Sequence, residues 1–169
     1  MWHRDDFSRD VQDLYEFVTP DLDQINEGIL LQRDWDKYQL WTHREQDNLV
    51  AMALVMPLDK TQTLHIDIFA INPDYRHQHR SFDLLTALQK EIGSMFGCAR
   101  MSIEAYYHNV NYFQKFGFKP TIDYKPLWIS ENNVKWLVTG DPPTDYTVDQ
   151  MIQEWQTYQQ TWGKIGYQY

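Results

Sequence analysis

Residues 49–58 read LVAMALVMPL, ten positions without a charged or polar side chain. The run lies between two turn sequences, Gln46-Asp47-Asn48 and Asp59-Lys60-Thr61. A short apolar run closed by turns at both ends reads as a strand. One with no polar alternate positions must be covered on both faces. A sheet with one wet face is therefore excluded around this strand, and the rest of the chain has to supply two covering layers.

The neighbouring segments supply the sheet. YQLWTHRE (38–45) alternates in polarity and reaches the first strand's turn, and TLHIDIFAI (63–71) follows the second turn. These three strands form an antiparallel meander. Helical spacing supplies the layers. FSRDVQDLYEFV (7–18) carries Phe7, Val11, Leu14, Tyr15 and Val18 on one face, and Asp21-Leu22-Asp23 offers a cap before a second helix, QINEGILLQ. No strand is evident ahead of the first helix. Leu84, Leu85, Leu88, Ile92 and Phe96 define a helix over 80–96 that ends at Gly97. Beyond it come a strand, ARMSIEAYY, and a short helix, NVNYFQKF, stopped by Gly117. Two further strands, FKPTIDYKPLWIS and VKWLVTG, are joined at Glu131-Asn132-Asn133.

A helical crossover makes the third and fourth strands parallel neighbours. The expected fold is thus α/β (α+β), a mixed and mostly antiparallel sheet flanked by helices. Residues 1–140 form the domain. Residues 141–169 are a linker, DPPTDY, and a helix with Val148, Ile152, Trp155 and Trp162 as anchors. That helix is expected to dock on its own domain or on a second subunit, as in a homodimer, because its apolar face cannot stay in water.

Charge and cysteine content bound the function. A net charge of −9 and a pI near 5.0 disfavour nucleic acid and anionic membrane as partners. No apolar run approaches the ~20 residues that span a bilayer. The opening Met1-Trp2-His3-Arg4-Asp5-Asp6 lacks an apolar signal core, so a cytoplasmic location is expected. Cys98 is the one cysteine, which leaves no intrachain disulfide, and the six histidines show no metal-binding spacing.

One segment stands out chemically. In INPDYRHQHRSFDLL (71–85) an apolar strand gives way to a basic turn and then to a helix N-terminus, the arrangement of an anion site. This motif and NYFQKFGFKP (111–120) resemble the GNAT superfamily of acyl-CoA-dependent N-acyltransferases. The family runs from strand through Pro-x-Tyr-Arg and Gly-x-Gly-x-Gly to helix, and it carries an aromatic pair before Lys-x-Gly-Phe. The likeness covers roughly residues 5 to 139. The glycine positions are occupied here by His77, His79 and Ser81.

The resemblance implies acetyl transfer from acetyl-CoA, as co-substrate, to a primary amine. The acceptor class stays open among small metabolites, aminoglycoside-like molecules, polyamines and protein lysines. It implies that backbone groups of Phe69, Ala70 and Ile71 pair with the pantetheine arm. It also implies that the turn of Arg76, His77, Gln78, His79, Arg80, Ser81 and Phe82 takes the pyrophosphate, with Asn109 and Phe113 as further contacts. Strand alternation puts His65, Asp67 and Phe69 on one face and Ile66, Ile68 and Ala70 on the other, the second set facing the core. By motif spacing His65 aligns with the family's glutamate base, and Asp67 is its orienter or replacement. The family's usual tyrosine acid falls on Phe113, which leaves Tyr112, Tyr106 or Tyr107 as candidates for the acid. The rival expectation is a non-catalytic module of the same fold with weak or no CoA binding.

Overall fold

The computed structural model describes residues 1–5, 8–18, 39–125, 133–140 and 144–166. In chain order its main elements are β1 (His3–Arg4), α1 (Arg9–Val18), β2 (Gln39–Glu45), β3 (Asn48–Leu58), β4 (Thr63–Ile71) and α2 (Ser81–Leu88). They continue with β5 (Arg100–Ala105), α3 (Val110–Gln114), β6 (Lys119–Tyr124), β7 (Val134–Val138) and α4 (Asp145–Gly166). The described strands form a seven-stranded sheet in the order β1-β2-β3-β4-β5-β7-β6. Neighbours are antiparallel except β4 and β5, which run parallel across the α2 crossover. The mixed sheet agrees with the sequence reading.

β3 shows why the sheet needs two layers. Its small side chains, Ala51, Ala53 and Val55, pack under Leu84, Leu85 and Leu88 of α2. Its larger ones, Met52, Leu54, Met56 and Leu58, pack with Val11, Leu14 and Tyr15 of α1 and with Val148, Met151, Ile152 and Trp155 of α4. A second tie fixes α4: Glu154 accepts from the Lys60 amide at 3.1 Å and from the Thr61 hydroxyl at 3.3 Å, at the β3–β4 turn. The α2 helix continues through a π turn, Gln89–Gly93, and its C-terminal turn closes at Gly97, whose φ of +67° favours glycine. Cys98 is buried, and burial pushes its thiol up to about 11, so it acts as packing.

Two expectations need correction or delimiting. A strand does precede the first helix: β1 pairs with β2 through His3↔Thr42 and Arg4↔Trp41. Two residues carry no readable period, which is why the sequence concealed it. The segments QINEGILLQ and Glu131-Asn132, and the side chain of Trp162, lie outside the described residues.

Arg44 of β2 ties the start of the chain to the sheet, binding Asp5 at 3.1 Å and Asp10 at 2.5 Å. The Arg44 hydrogen bond, helped by Ser8 and the Val11 amide, holds the Asp10 carboxyl at about 2, below its ordinary 3.8. A folded value below the unfolded one stabilises above pH 3.8, and that contribution is lost as pH falls towards 2. The melting-temperature gap between wild type and Asp10→Asn should therefore narrow as pH is lowered from 5 to 2. A gap independent of pH contradicts the pairing. Trp155→Ala empties a fully buried site and should cost about 3–5 kcal/mol in denaturant unfolding.

Candidate active site

The β3–β4 ladder contains an irregularity that shapes everything around it. Leu54 pairs with Ile68 and Val55 with Ile66, so Asp67 is the extra residue of a β-bulge. An inserted residue reverses the face taken by each side chain that follows. The expected grouping is thereby corrected. Ile66 lies with Phe69 and Ile71 on the α2 side, while Ile68 and Ala70 lie on the α1/α4 side that His65 also occupies. β4 and β5 pair only from Thr63↔Arg100 to Ile66↔Ile103. From Asp67 to Ile71, β4 continues without a β5 neighbour, and the two strands part.

A polar cluster sits where they part. His65 is fully buried. Its Nδ1 meets Ser102 Oγ at 2.8 Å, and its Nε2 meets Glu104 Oε1 at 3.0 Å. A carboxylate only accepts, so Nε2 carries a proton and donates to Glu104, while Nδ1 pairs with the Ser102 hydroxyl. The ring stacks on Trp136 at 4.5 Å and meets Trp155 of α4 at 4.2 Å. Ser102 is also fully buried, so this serine–histidine–carboxylate set has no accessible nucleophile. Its outer end is Glu104, whose side chain is 18% exposed. Beside Glu104 lies Tyr124 of β6. Burial, then the Glu104 charge, with Asp67 adding to it, raises the Tyr124 phenol well above its ordinary range, so it stays protonated.

The basic turn lies at the far end of β4. Asn72 closes that strand, its amide donating to Val50 O and its side chain to Leu49 O, both at 2.8 Å. Pro73–Tyr75 forms a 3₁₀ turn, and then His77 and His79 take φ of +63° and +56°. Both occupy glycine positions of the motif and hold the left-handed conformation that glycine would adopt. Arg80 is the N-cap of α2, and no side chain caps the helix, so the first-turn amides face outward as donors. Arg80 spends its guanidinium on Glu45, with both carboxylate oxygens at 2.6 Å, and on Gln78 at 2.9 Å. Arg76 donates to Ile71 O at 3.0 Å and lies over the Phe17 ring.

The predicted residues thus fall into two groups. His65 and Asp67 gather around the parting strands. His77, Gln78, His79, Arg80, Ser81 and Phe82 gather at the α2 N-terminus, and Tyr112 belongs there too, its hydroxyl 2.8 Å from Ser81 Oγ. Phe113 packs into the α2-side core, and Asn109 stands at the N-cap of α3 without a side-chain capping bond. The sequence alone does not fix which way Glu104 of β5 faces, and it gives no sign that Ser102 or Tyr124 belongs to a site. The signal for the first two was the parallel β4–β5 register, which sets Ser102 opposite His65.

The profile of the Acetyltransferase (GNAT) family matches residues 4–118. The chain belongs to the GNAT family. No curated protein matches it. Solved structures resemble the GNAT domain in fold. A chimera of the spermidine N-acetyltransferase SpeG from Vibrio cholerae with hSSAT is 11% identical, has a TM-score of 0.67, and aligns over 82% of this chain and 94% of its own. The aminoglycoside 6′-acetyltransferase type Ii is 14% identical, with a TM-score of 0.64 over 85% and 98% of the two chains. A GNAT acetyltransferase from Elizabethkingia anophelis with acetyl-CoA bound is 15% identical, with a TM-score of 0.63 over 83% and 97%.

The left-handed histidines of this GNAT domain have a measurable consequence. A β-branched side chain is strained at positive φ by roughly 1–2 kcal/mol, a cost that glycine escapes. His79→Val should therefore destabilise in urea unfolding by about that amount relative to His79→Gly. Equal stability of the two variants refutes a left-handed His79.

Proposed function

We propose that the protein is an N-acetyltransferase that moves an acetyl group from acetyl-CoA to a primary amine, on a small molecule or a lysine. One observation carries this reading: the strands of a GNAT sheet part at Asp67, and β4 then leads into an uncapped helix N-terminus whose preceding loop keeps the backbone shape of glycine while built from histidine. The edge of β4 from Phe69 to Ile71 is available on its β5 side to pair with the pantetheine amides. The amides from Gln78 to Phe82 offer a fixed cradle for the pyrophosphate, aided by the helix dipole. Tyr112 of α3 borders that cradle through Ser81, its hydroxyl available to the leaving thiolate, and Asn109 and Phe113 are the further contacts of this reading.

Acetyl-CoA brings the activated thioester. Proton removal from the amine falls to the polar group built around His65, with Asp67 alongside. Arg80 reaches a phosphate only by giving up Glu45, an exchange of one oxyanion for another. The Phe113 ring at the usual acid position favours the alternative, a non-catalytic GNAT module.

Thermal shift with acetyl-CoA separates the two readings. Ligand at 100 times its Kd stabilises by about 2.7 kcal/mol, and no shift at millimolar concentration supports the module. Ser81→Asp sharpens the test, because a carboxylate in the first turn suits the helix dipole yet repels a phosphate. The variant should melt at or above the wild type without ligand and lose most of the acetyl-CoA shift. A full shift places the pyrophosphate elsewhere. Release of free thiol from acetyl-CoA on adding spermidine or an aminoglycoside then reads transfer itself.

A further inference from the structure

The GNAT resemblance puts the base on β4, at His65, yet that ring is fully buried between two tryptophans. Both of its nitrogens are engaged, one by Ser102 and one by Glu104. The imidazole cannot touch an incoming amine without dismantling this packing. Glu104 can, since it keeps partial exposure and stands one residue beyond Ile103, the last β5 residue paired with β4. Around it the side chains match a cationic visitor. Asp67 of the bulge and Glu104 both bear on Tyr124, so two carboxylates share this corner. The Tyr124 hydroxyl is buried beside Glu104 and packs edge-on against Trp136, and its oxygen can accept from an ammonium.

We propose that Glu104 on β5 is the catalytic residue that meets the acceptor amine. In this arrangement His65 is a positioning residue that holds the Glu104 carboxylate in place, and Tyr124 offers the second polar contact. The inference rests on the acetyltransferase reading and deepens it. The class of acceptor it fits is an alkylammonium that arrives charged. Glu104 first takes a proton from the ammonium and passes it to solvent, which frees the nitrogen lone pair. The N–C bond then forms as the C–S bond of the thioester breaks, Glu104 takes the second proton from the nitrogen and passes it to solvent, and the thiolate takes up one proton, so that amide, free thiol and one released proton result. Ser102 holds the ring by its Nδ1, so that Nε2 stays aimed as a donor to the carboxylate.

Calorimetric titration of spermidine into the full chain, with and without coenzyme A, tests the site alongside steady-state acetyl transfer. Glu104→Gln should weaken spermidine binding at least ~10-fold and lower kcat by about 10²- to 10⁴-fold, the span of general-base catalysis, with acetyl-CoA affinity kept within about 2-fold. Tyr124→Phe should raise KM several-fold and change kcat little. His65→Gln, whose amide N–H replaces that of Nε2, should retain far more activity than His65→Leu. Glu104→Gln that binds and turns over spermidine like the wild type overturns the proposal, as does a wild type that does not bind spermidine in either state. Equal losses in His65→Gln and His65→Leu overturn the positioning role. If Glu104→Gln melts below the assay temperature, Glu104→Asp replaces it. Keeping the charge but withdrawing it by one methylene, it should bind spermidine with reduced kcat, and unchanged kcat overturns the assignment. Spermidine binding that depends on Glu104 in a protein that neither binds acetyl-CoA nor transfers acetyl leaves the amine site standing and removes the acetyltransferase reading alone.

Discussion

The short parallel ladder between β4 and β5 is the constraint on which the rest of this structure depends. It runs only from Thr63↔Arg100 to Ile66↔Ile103 before the strands separate. Those pairs join the β1–β4 half of the sheet to the β5–β7–β6 half, so the two halves meet along a narrow seam. The bulge at Asp67 lies at the end of that seam and bends β4 away, as an added residue does by raising the local twist. The seam carries the polar side chains as well. His65 and Ser102 face each other in register across it, and Glu104 follows on the same side of β5.

Placing a histidine between two tryptophans has an energetic logic. A buried imidazole is tolerated when both nitrogens are hydrogen-bonded, and Ser102 and Glu104 meet that need. Trp155 reaches this ring from α4, and Glu154 beside it caps the β3–β4 turn. The C-terminal helix is therefore part of the wall behind the cluster. Distant stretches of chain, at positions 65, 104, 124, 136 and 155, converge there on one face of the sheet.

The α2 side is organised by backbone geometry. His77 and His79 accept a left-handed conformation that glycine adopts without strain, and the helix they precede has no side-chain cap. What glycine gives in freedom, these residues give up for a turn held by Asn72, by the Arg76 bond to Ile71 O and by the Arg80 pair with Glu45. Such a turn is set before any ligand arrives, which reduces the ordering cost of binding.

Period and punctuation sufficed for much of this. The apolar LVAMALVMPL run dictated a doubly covered strand, helical spacing located α1, α2 and α4, and Gly97 and Gly117 marked helix ends, all because these features depend on neighbours close in sequence. The strand–turn–helix motif located the basic turn and pointed to the family for the same reason. The faces of β4 were not legible, because a one-residue bulge leaves no trace in composition yet reverses every later side chain, as with Ile68 and Phe69. Nor was β1, whose two residues pair only because β2 lies beside them. The joining of His65 to Ser102 and Glu104, and of Tyr124 to Glu104, was decided by tertiary structure alone: strand register and the order β5-β7-β6 are set by packing between segments far apart in sequence, and no local pattern records them.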